Sequence, residues 1–167
     1  MADIYEHIKD NLYDIAEAAN ISFPNVKIVF SYDGGPEPST SFISIYPLRI
    51  KQVGRRSTPA LSSSNNMLDN RAYYEVTTQF SFFGRGAGNV AQAFHDKIGN
   101  TVLTKQVAAR VNMGYMNKTD VRRNPQKRDT QWVDAYNLDV TFSYILNTKE
   151  QVDTDFSGIS FQSITNP

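Results

Sequence analysis

The pattern closest to a chemical motif is the glycine-rich run Gly84-Arg85-Gly86-Ala87-Gly88. A turn of this kind between a strand and a helix can bind phosphate through the backbone N–H groups of the helix N-terminus. The dinucleotide-binding pattern GxGxxG needs a third glycine, however, and Asn89 stands at that position. The lysine and hydroxyl residue of a P-loop do not follow either. The run therefore predicts a tight strand-to-helix turn rather than a phosphate site.

Other catalytic and metal-binding patterns are also missing from the sequence. His7 and His95 are the two histidines, and they form neither an HExxH motif nor a pair at ligand spacing. The GxSxG nucleophile motif is absent. The chain has no cysteine, which excludes disulfides, thiolate zinc sites and cysteine nucleophiles. We therefore expect no enzymatic activity, no metal and no cofactor. The alternative from another class is a small cytosolic enzyme whose site forms only in three dimensions.

The charged residues are balanced in number but separated along the chain. The chain has 17 bases and 17 acids. Residues 1–40 nevertheless contain seven acids and two bases, whereas residues 105–128 contain seven bases and one acid. Opposite charge in separate segments suits a subunit that binds copies of itself or another protein. The residues we predict at such an interface, or in a DNA channel, are Arg49, Lys51, Arg55, Arg56, Arg122, Arg123, Lys127, Arg128, Asp153 and Asp155.

Two interpretations of these bases remain open. They could contact passing DNA through its phosphates, which would be non-specific and salt-dependent. Alternatively, they could pair with acids of a neighbouring subunit, such as Asp153 and Asp155. We favour the protein–protein pairing because the chain is neutral overall and its acids are as clustered as its bases.

The first half of the chain predicts one helix and two strands. Apolar residues at helical spacing indicate an amphipathic helix over 3–19. A period-two strand follows over 26–32, and turn-forming residues occupy 33–38. In the next strand, over 41–50, Phe42, Ser44, Tyr46, Leu48 and Ile50 are expected on one side. Pro47 lacks a backbone donor, which places this strand at an edge or at a bulge.

The second half predicts a long loop or hairpin arm over about 51–70, a strand over 72–83 and helices over 89–99 and 101–110. A weak strand near 111–121, a basic loop over 122–128 and a strong strand over 136–146 follow. With hairpin-like turns, this order predicts an α+β fold: a largely antiparallel sheet with two or three helices packed on one face. We expect one domain over 1–150 and a C-terminal strand or docking tail over 151–167.

Composition adds two further expectations. The 9 Tyr, 10 Phe and 1 Trp favour strands and covered surfaces. No apolar run reaches the 18 or more residues of a membrane span, and the N-terminus does not resemble a signal peptide. We therefore expect a protein made in the cytosol, with no membrane partner.

The order of these elements resembles the neck terminator and tail terminator proteins of tailed bacteriophages, the head-to-tail connector subunits. The resemblance extends over about residues 4–165 and begins with the N-terminal helix. The matching stretches after it are Gly34-Gly35-Pro36-Glu37-Pro38-Ser39, Phe42-Ile43-Ser44-Ile45, Gln52-Val53-Gly54-Arg55, the strand through Gln79-Phe80-Ser81-Phe82-Phe83-Gly84, and Tyr136-Asn137-Leu138-Asp139-Val140-Thr141-Phe142-Ser143-Tyr144.

This resemblance implies a structural protein of the virion, made in the bacterial cytoplasm, with no enzymatic role. It implies a ring, commonly a hexamer, that caps the tail tube and joins it to the head. The implied partners are copies of the chain, a portal-side connector or adaptor protein and the tail tube protein, with non-specific contact to passing DNA as a further possibility. The alternative within this class is another tail completion or tube-related component.

Overall fold

The computed structural model describes residues 4–31, 34–57, 67–128 and 130–151. Its helices are α1 (Ile4–Ala19), α2 (Ala87–Lys97) and α3 (Val102–Arg110). Its strands are β1 (Lys27–Phe30), β2 (Phe42–Ser57), β3 (Met67–Phe83), β4 (Met113–Lys118), β5 (Arg122–Arg123), β6 (Gln126–Arg128), β7 (Gln131–Val133) and β8 (Ala135–Gln151).

The main sheet is open and mostly antiparallel, which confirms the predicted α+β class. Its strand order is β1-β2-β3-β8-β4, and the short strand β5 also pairs with β8. The strands β6 and β7 form a separate two-stranded hairpin. The prediction of hairpin-like turns is wrong for β1 and β2, because these two strands are parallel and Lys27 lies opposite Phe42.

The core lies between the three helices and one face of the sheet. The alternation predicted for β3 and β8 is confirmed, since Val76, Phe80, Phe82, Leu138, Val140 and Phe142 are all buried there. The α1 stripe is confirmed as well: Ile8, Leu12, Ile15 and Ala19 are buried against the sheet. Burial of this apolar surface is the main force that holds the helices on the sheet.

Strand β2 changes faces at a bulge. Ile43 and Ile45 face the core before Pro47, and the pairing with β3 then shifts between Pro47 and Arg49. Ile50 faces the core after the shift, whereas Tyr46 and Leu48 are exposed. The expectation that residues 42, 44, 46, 48 and 50 share one side is therefore wrong, because the extra residue of a bulge reverses the alternation.

Pro47 occupies a position that tolerates its missing N–H group. Strand β1 pairs with residues 42–45 of β2, so Pro47 lies beyond the end of β1 and next to the bulge. Of the two alternatives predicted for this strand, an edge or a bulge, the bulge is confirmed, whereas β1 and not β2 is the edge strand of the sheet.

The segments predicted as loops contain paired strands. β2 continues to Ser57 and β3 begins at Met67, so the described part of the 51–70 segment is a hairpin arm; residues 58–66 lie outside the described residues. The basic segment 122–128 is not a loop, because it forms β5 and β6. Strand β8 reaches Gln151, and the rest of the predicted tail lies outside the described residues.

The glycine run forms the predicted tight turn. Gly84 has a φ of 97°, in the left-handed region that disfavours a side chain, and a Cβ there would lie 2.7 Å from Ser41 Cα. Gly86, with a φ of 78°, is the N-cap of α2. The Ser41 hydroxyl donates to the backbone carbonyl of Arg85 at 3.1 Å. The glycines therefore let β3 turn into α2 against the start of β2.

Phe142→Ala should destabilise the protein by about 3–5 kcal/mol, because the Phe142 side chain is fully enclosed in the core. Ser143 points to the opposite face and its hydroxyl donates to the backbone carbonyl of Gly114 at 3.3 Å. Ser143→Ala should therefore cost only about 0.5–1.5 kcal/mol. Urea unfolding of both variants measures the difference, and equal losses would show that the register of β8 is wrong.

Gly84→Ala should cost at least about 2 kcal/mol in the free energy of unfolding, since the new Cβ is strained and meets the Ser41 backbone. The matched control is Gly35→Ala. No atom lies within 4 Å of a Cβ at Gly35, so its effect should stay within about 0.5 kcal/mol. A Gly84→Ala protein as stable as this control would contradict the close approach of the two segments.

Candidate assembly surface

The sheet face opposite the helices, here called the open face, is covered by no helix in the described part of the chain. Many of its side chains are polar, in contrast to the apolar core face. Two cross-strand contacts typify it: Gln79 Nε2 donates to Asp139 Oδ1 at 3.1 Å, and the hydroxyls of Thr77 and Thr141 lie 3.5 Å apart. Tyr46, Val53 and Tyr73 lie on the same face and are 36%, 48% and 43% exposed, so the open face offers both polar and apolar surface to another protein.

One end of the open face carries a small apolar cluster. Phe42 and Phe83 stack with their ring centroids 4.8 Å apart, and Ala135 and Val29 pack against them. This end adjoins the chain between β1 and β2 and the start of β8. The cluster attaches these segments to the open face.

The predicted bases of the first segment all lie on strand β2, Arg49 within the predicted strand and the others in the hairpin arm that was one of the two alternatives. Arg49 and Lys51 are exposed on the open face, opposite Thr77 and Glu75 of β3. Arg55 and Arg56 continue the same strand. These four residues therefore lie along β2, the outer strand of the hairpin arm, in the part of β2 that extends past its pairing with β1.

The predicted bases of the second segment have acidic partners within the chain. Arg122 donates through Nη2 to Asp139 Oδ2. Arg123 donates to Asp134 Oδ1 through Nε at 3.1 Å and Nη2 at 2.6 Å, and these hydrogen bonds raise the pKa of the Arg123 guanidinium. Sequence reasoning missed both acids, because only the pairing of β5 with β8 brings them close.

The structure places β2, with Arg49 and Lys51, and β5, with Arg122 and Arg123, on opposite sides of the central strands β3 and β8. β2 flanks β3 on one side, and β5 lies beside β8 on the other. Lys127 is exposed on β6, and Arg128 ends that strand. Asp153 and Asp155 lie outside the described residues, so their pairing with a neighbour's bases stays a prediction.

The hairpin of β6 and β7 carries a residue that sequence reasoning did not single out. Trp132 is 71% exposed and lies directly opposite Lys127. It is the one tryptophan of the chain. The sequence signal that could have identified it is its position close to the basic segment 122–128. An isolated tryptophan among polar residues is typical of a binding surface.

The helices contribute an acidic surface. The four acids of α1, Glu6, Asp10, Asp14 and Glu17, are all exposed, and Lys9 is the one base of that helix. Next to them, a groove of about 690 Å³ lies between α1, α3 and β1. Ile21 and Leu103 line this groove and are 59% and 41% exposed.

The titratable groups around the end of α2 contact other groups of the same chain. His95 Nδ1 lies 3.3 Å from Asp96 Oδ1, and this contact is the main reason why the pKa of Asp96 is lowered. Lys118 Nζ donates to the backbone carbonyls of His95 and Ile98, so it caps the end of α2.

In the described ranges, no three His, Cys, Asp or Glu side chains are grouped to hold a metal ion. No helix described there combines the length and apolarity needed to cross a membrane.

The comparison with known families shows to which family the chain belongs. The profile of the family described as phage neck terminator protein matches residues 3–166. The chain belongs to this family. The resemblance stated from the sequence is thereby confirmed, and the family points to a structural protein of the phage virion rather than to an enzyme. A comparison with curated proteins finds no significant match.

The two ion pairs of β5 should differ in their contribution to stability. Asp139 is 21% exposed and accepts hydrogen bonds from both Gln79 and Arg122, so Asp139→Ala should cost about 1–3 kcal/mol. Asp134 is 53% exposed beside an exposed arginine, so Asp134→Ala should cost less than about 1 kcal/mol. Thermal and urea unfolding of the two variants test this order. A larger loss for Asp134→Ala would contradict the described position of β5.

Proposed function

We propose that this neck terminator protein forms a closed ring that caps the tail tube and joins it to the head connector. The observation that carries the proposal is the family match, which spans 3–166 of the 167 residues. We propose a hexamer, as the resemblance of the sequence implies. In this function the protein works by assembly and does not catalyse a reaction.

The charge distribution supports a ring of identical subunits. The exposed row on α1 is acidic, whereas Arg49, Lys51 and Lys127 expose positive charge on the strands. A contact between two different surfaces of the same protein is heterologous, and it closes into a ring when the rotation between subunits allows it. Complementary charge steers such subunits into register and disfavours wrong partners.

The in-chain ion pairs weaken the DNA interpretation of the second basic segment. Arg122 and Arg123 are matched by Asp139 and Asp134, which leaves less positive charge for phosphate groups. Strong non-specific DNA binding depends on unmatched bases that release counterions from the phosphates. We therefore propose that the partners are copies of the chain, a portal-side connector or adaptor and the tail tube protein.

We also propose that residues 1–150 act as one assembly unit and that 151–167 serve as a docking tail. β8 carries the chain to Gln151, at the far end of the hairpin arm opposite Met67. The described part of β8 therefore ends where its ladder with β3 ends, next to the residues that we propose as the docking tail. Synthesis in the host cytoplasm followed by incorporation into the virion completes the proposal.

Removal of the gene from its phage tests the proposed function. We expect filled heads and separate tails, with tail tubes of irregular length, because nothing would cap the tube or join it to the head. Adding purified protein to the isolated tails should restore their joining to heads, as counted by electron microscopy. Tails of normal length joined to heads without the gene would contradict the proposal.

A further inference from the structure

We propose that an apolar row on the open face binds the C-terminal segment 152–167 of a neighbouring copy. The apolar row consists of Val53, Tyr73 and Ile145, which lie side by side on β2, β3 and β8. This inference rests on the docking tail of the proposed function and adds the surface that receives it. The occupant is a segment of the same chain that lies outside the described residues.

The apolar row is a band across an otherwise polar part of the open face. Val53 lies opposite Tyr73, and Tyr73 lies opposite Ile145, so the three side chains point to the same side of the sheet. Val53 and Tyr73 are 48% and 43% exposed. None of the three belongs to either apolar cluster in the described part of the chain. A partner that covers the row therefore removes apolar surface from water.

Basic side chains flank the apolar row. Lys51 lies two residues from it on β2, and Arg71 lies two residues from it on β3, so the alternation of a strand places both on the open face. The adjoining rows therefore hold these two bases and one acid, Glu75. Arg49 adds a third exposed base two residues farther along β2. The surroundings of the row thus carry net positive charge.

The C-terminal segment has the complementary composition. It contains two acids, Asp153 and Asp155, and no lysine, arginine or histidine. The acids are followed by four large apolar residues: Phe156, Ile159, Phe161 and Ile164. Acids beside the bases would orient the segment on the open face, and the phenylalanine rings would bury their surface on the apolar row.

The length of the segment allows it to reach another copy. It begins after Gln151, which ends the described part of β8. The 16 residues from 152 to 167 span up to about 53 Å when extended, at about 3.3 Å each. A domain of about 150 residues has a radius of gyration of about 15 Å. The segment is therefore long enough to contact the open face of an adjacent copy.

The apolar row of the same copy is harder to reach. Ile145 lies six residues before Gln151, which is about 20 Å back along β8. Gly158 is the first glycine or proline of the segment, and glycine takes a tight turn without steric cost. A reversal there uses about 23 Å outward and leaves about 30 Å for the return, so the chain would end about 7 Å behind Gln151. The chain length therefore favours a neighbouring copy.

Disulfide trapping measures the contact, because the full-length chain has no cysteine of its own. Asn147→Cys places a thiol on the open face next to the apolar row, since Asn147 is exposed opposite Arg71. Mixed with a second protein that carries Gln162→Cys, it should form a disulfide between the two proteins under mild oxidation. Val102→Cys is the matched control, at a 69% exposed residue of α3. It should give at least about tenfold less product, because only docking raises the effective concentration.

Both cysteines in one chain separate a neighbour's segment from the chain's own. We expect Asn147→Cys combined with Gln162→Cys to give covalent dimers and larger species on denaturing gels. Disulfides confined to monomers would show that the segment folds onto its own copy and would overturn the proposal. Absence of any disulfide under the same conditions would overturn it as well.

A charge placed in the apolar row tests its role. Val53→Glu should reduce the trapping by Asn147→Cys at least about tenfold, since the new carboxylate is desolvated and repels the acids of the segment. Val102→Glu is the same change at an exposed valine off the open face and should leave the yield unchanged. Phe161→Ser, in the segment itself, should cause the same loss and keeps the test decisive if Val53→Glu does not fold. Unchanged trapping by folded variants would overturn the proposal.

The outcomes separate this inference from the proposed function. Closed rings without mixed disulfides would overturn the docking and leave the ring intact. Open chains with mixed disulfides would support the docking and contradict closure. A fluorescent peptide of residues 152–167 should bind the Phe161→Ser protein, whose own segment is impaired. Binding of this peptide to isolated tails but not to that protein would overturn the apolar row as the receptor and keep the docking tail.

Discussion

The pairing of β3 with β8 is the constraint on which the remaining structure depends. All 17 residues of β3, from Met67 to Phe83, lie opposite residues of β8 in an uninterrupted antiparallel register. Alternate residues of this ladder face the helices and build the core, and the residues between them build the open face. A slip of one residue would exchange the two faces, so burial of Phe80, Leu138 and Phe142 fixes the register of the open face as well.

The edges of this ladder position the surfaces that can meet other proteins. β2 carries Arg49 and Lys51 along one side of it, and β5 lies at the other side. The helices hold the acidic row of α1 on the opposite side of the molecule from the open face. One rigid sheet therefore separates surfaces of different charge, which is what a subunit needs if its two sides bind different partners or different copies of itself.

Regular periodicity explains which parts of this structure could be predicted from the sequence. The buried faces of α1, β3 and β8 followed from spacing alone, because each repeats its apolar residues over several turns or pleats. The bulge after Pro47 and the parallel position of β1 depend on pairing between distant strands, which local spacing does not reveal. The hairpin with Trp132 was missed for the same reason, since three-residue strands show too little alternation to be recognised.

The ring is the central claim, and native mass spectrometry of the purified full-length chain, alone and with isolated tails, tests it most directly. The account predicts a single closed assembly, visible as rings in electron micrographs, that forms in solution or once tails are offered as a template. A protein that remains monomeric at high concentration and also fails to bind isolated tails would contradict it.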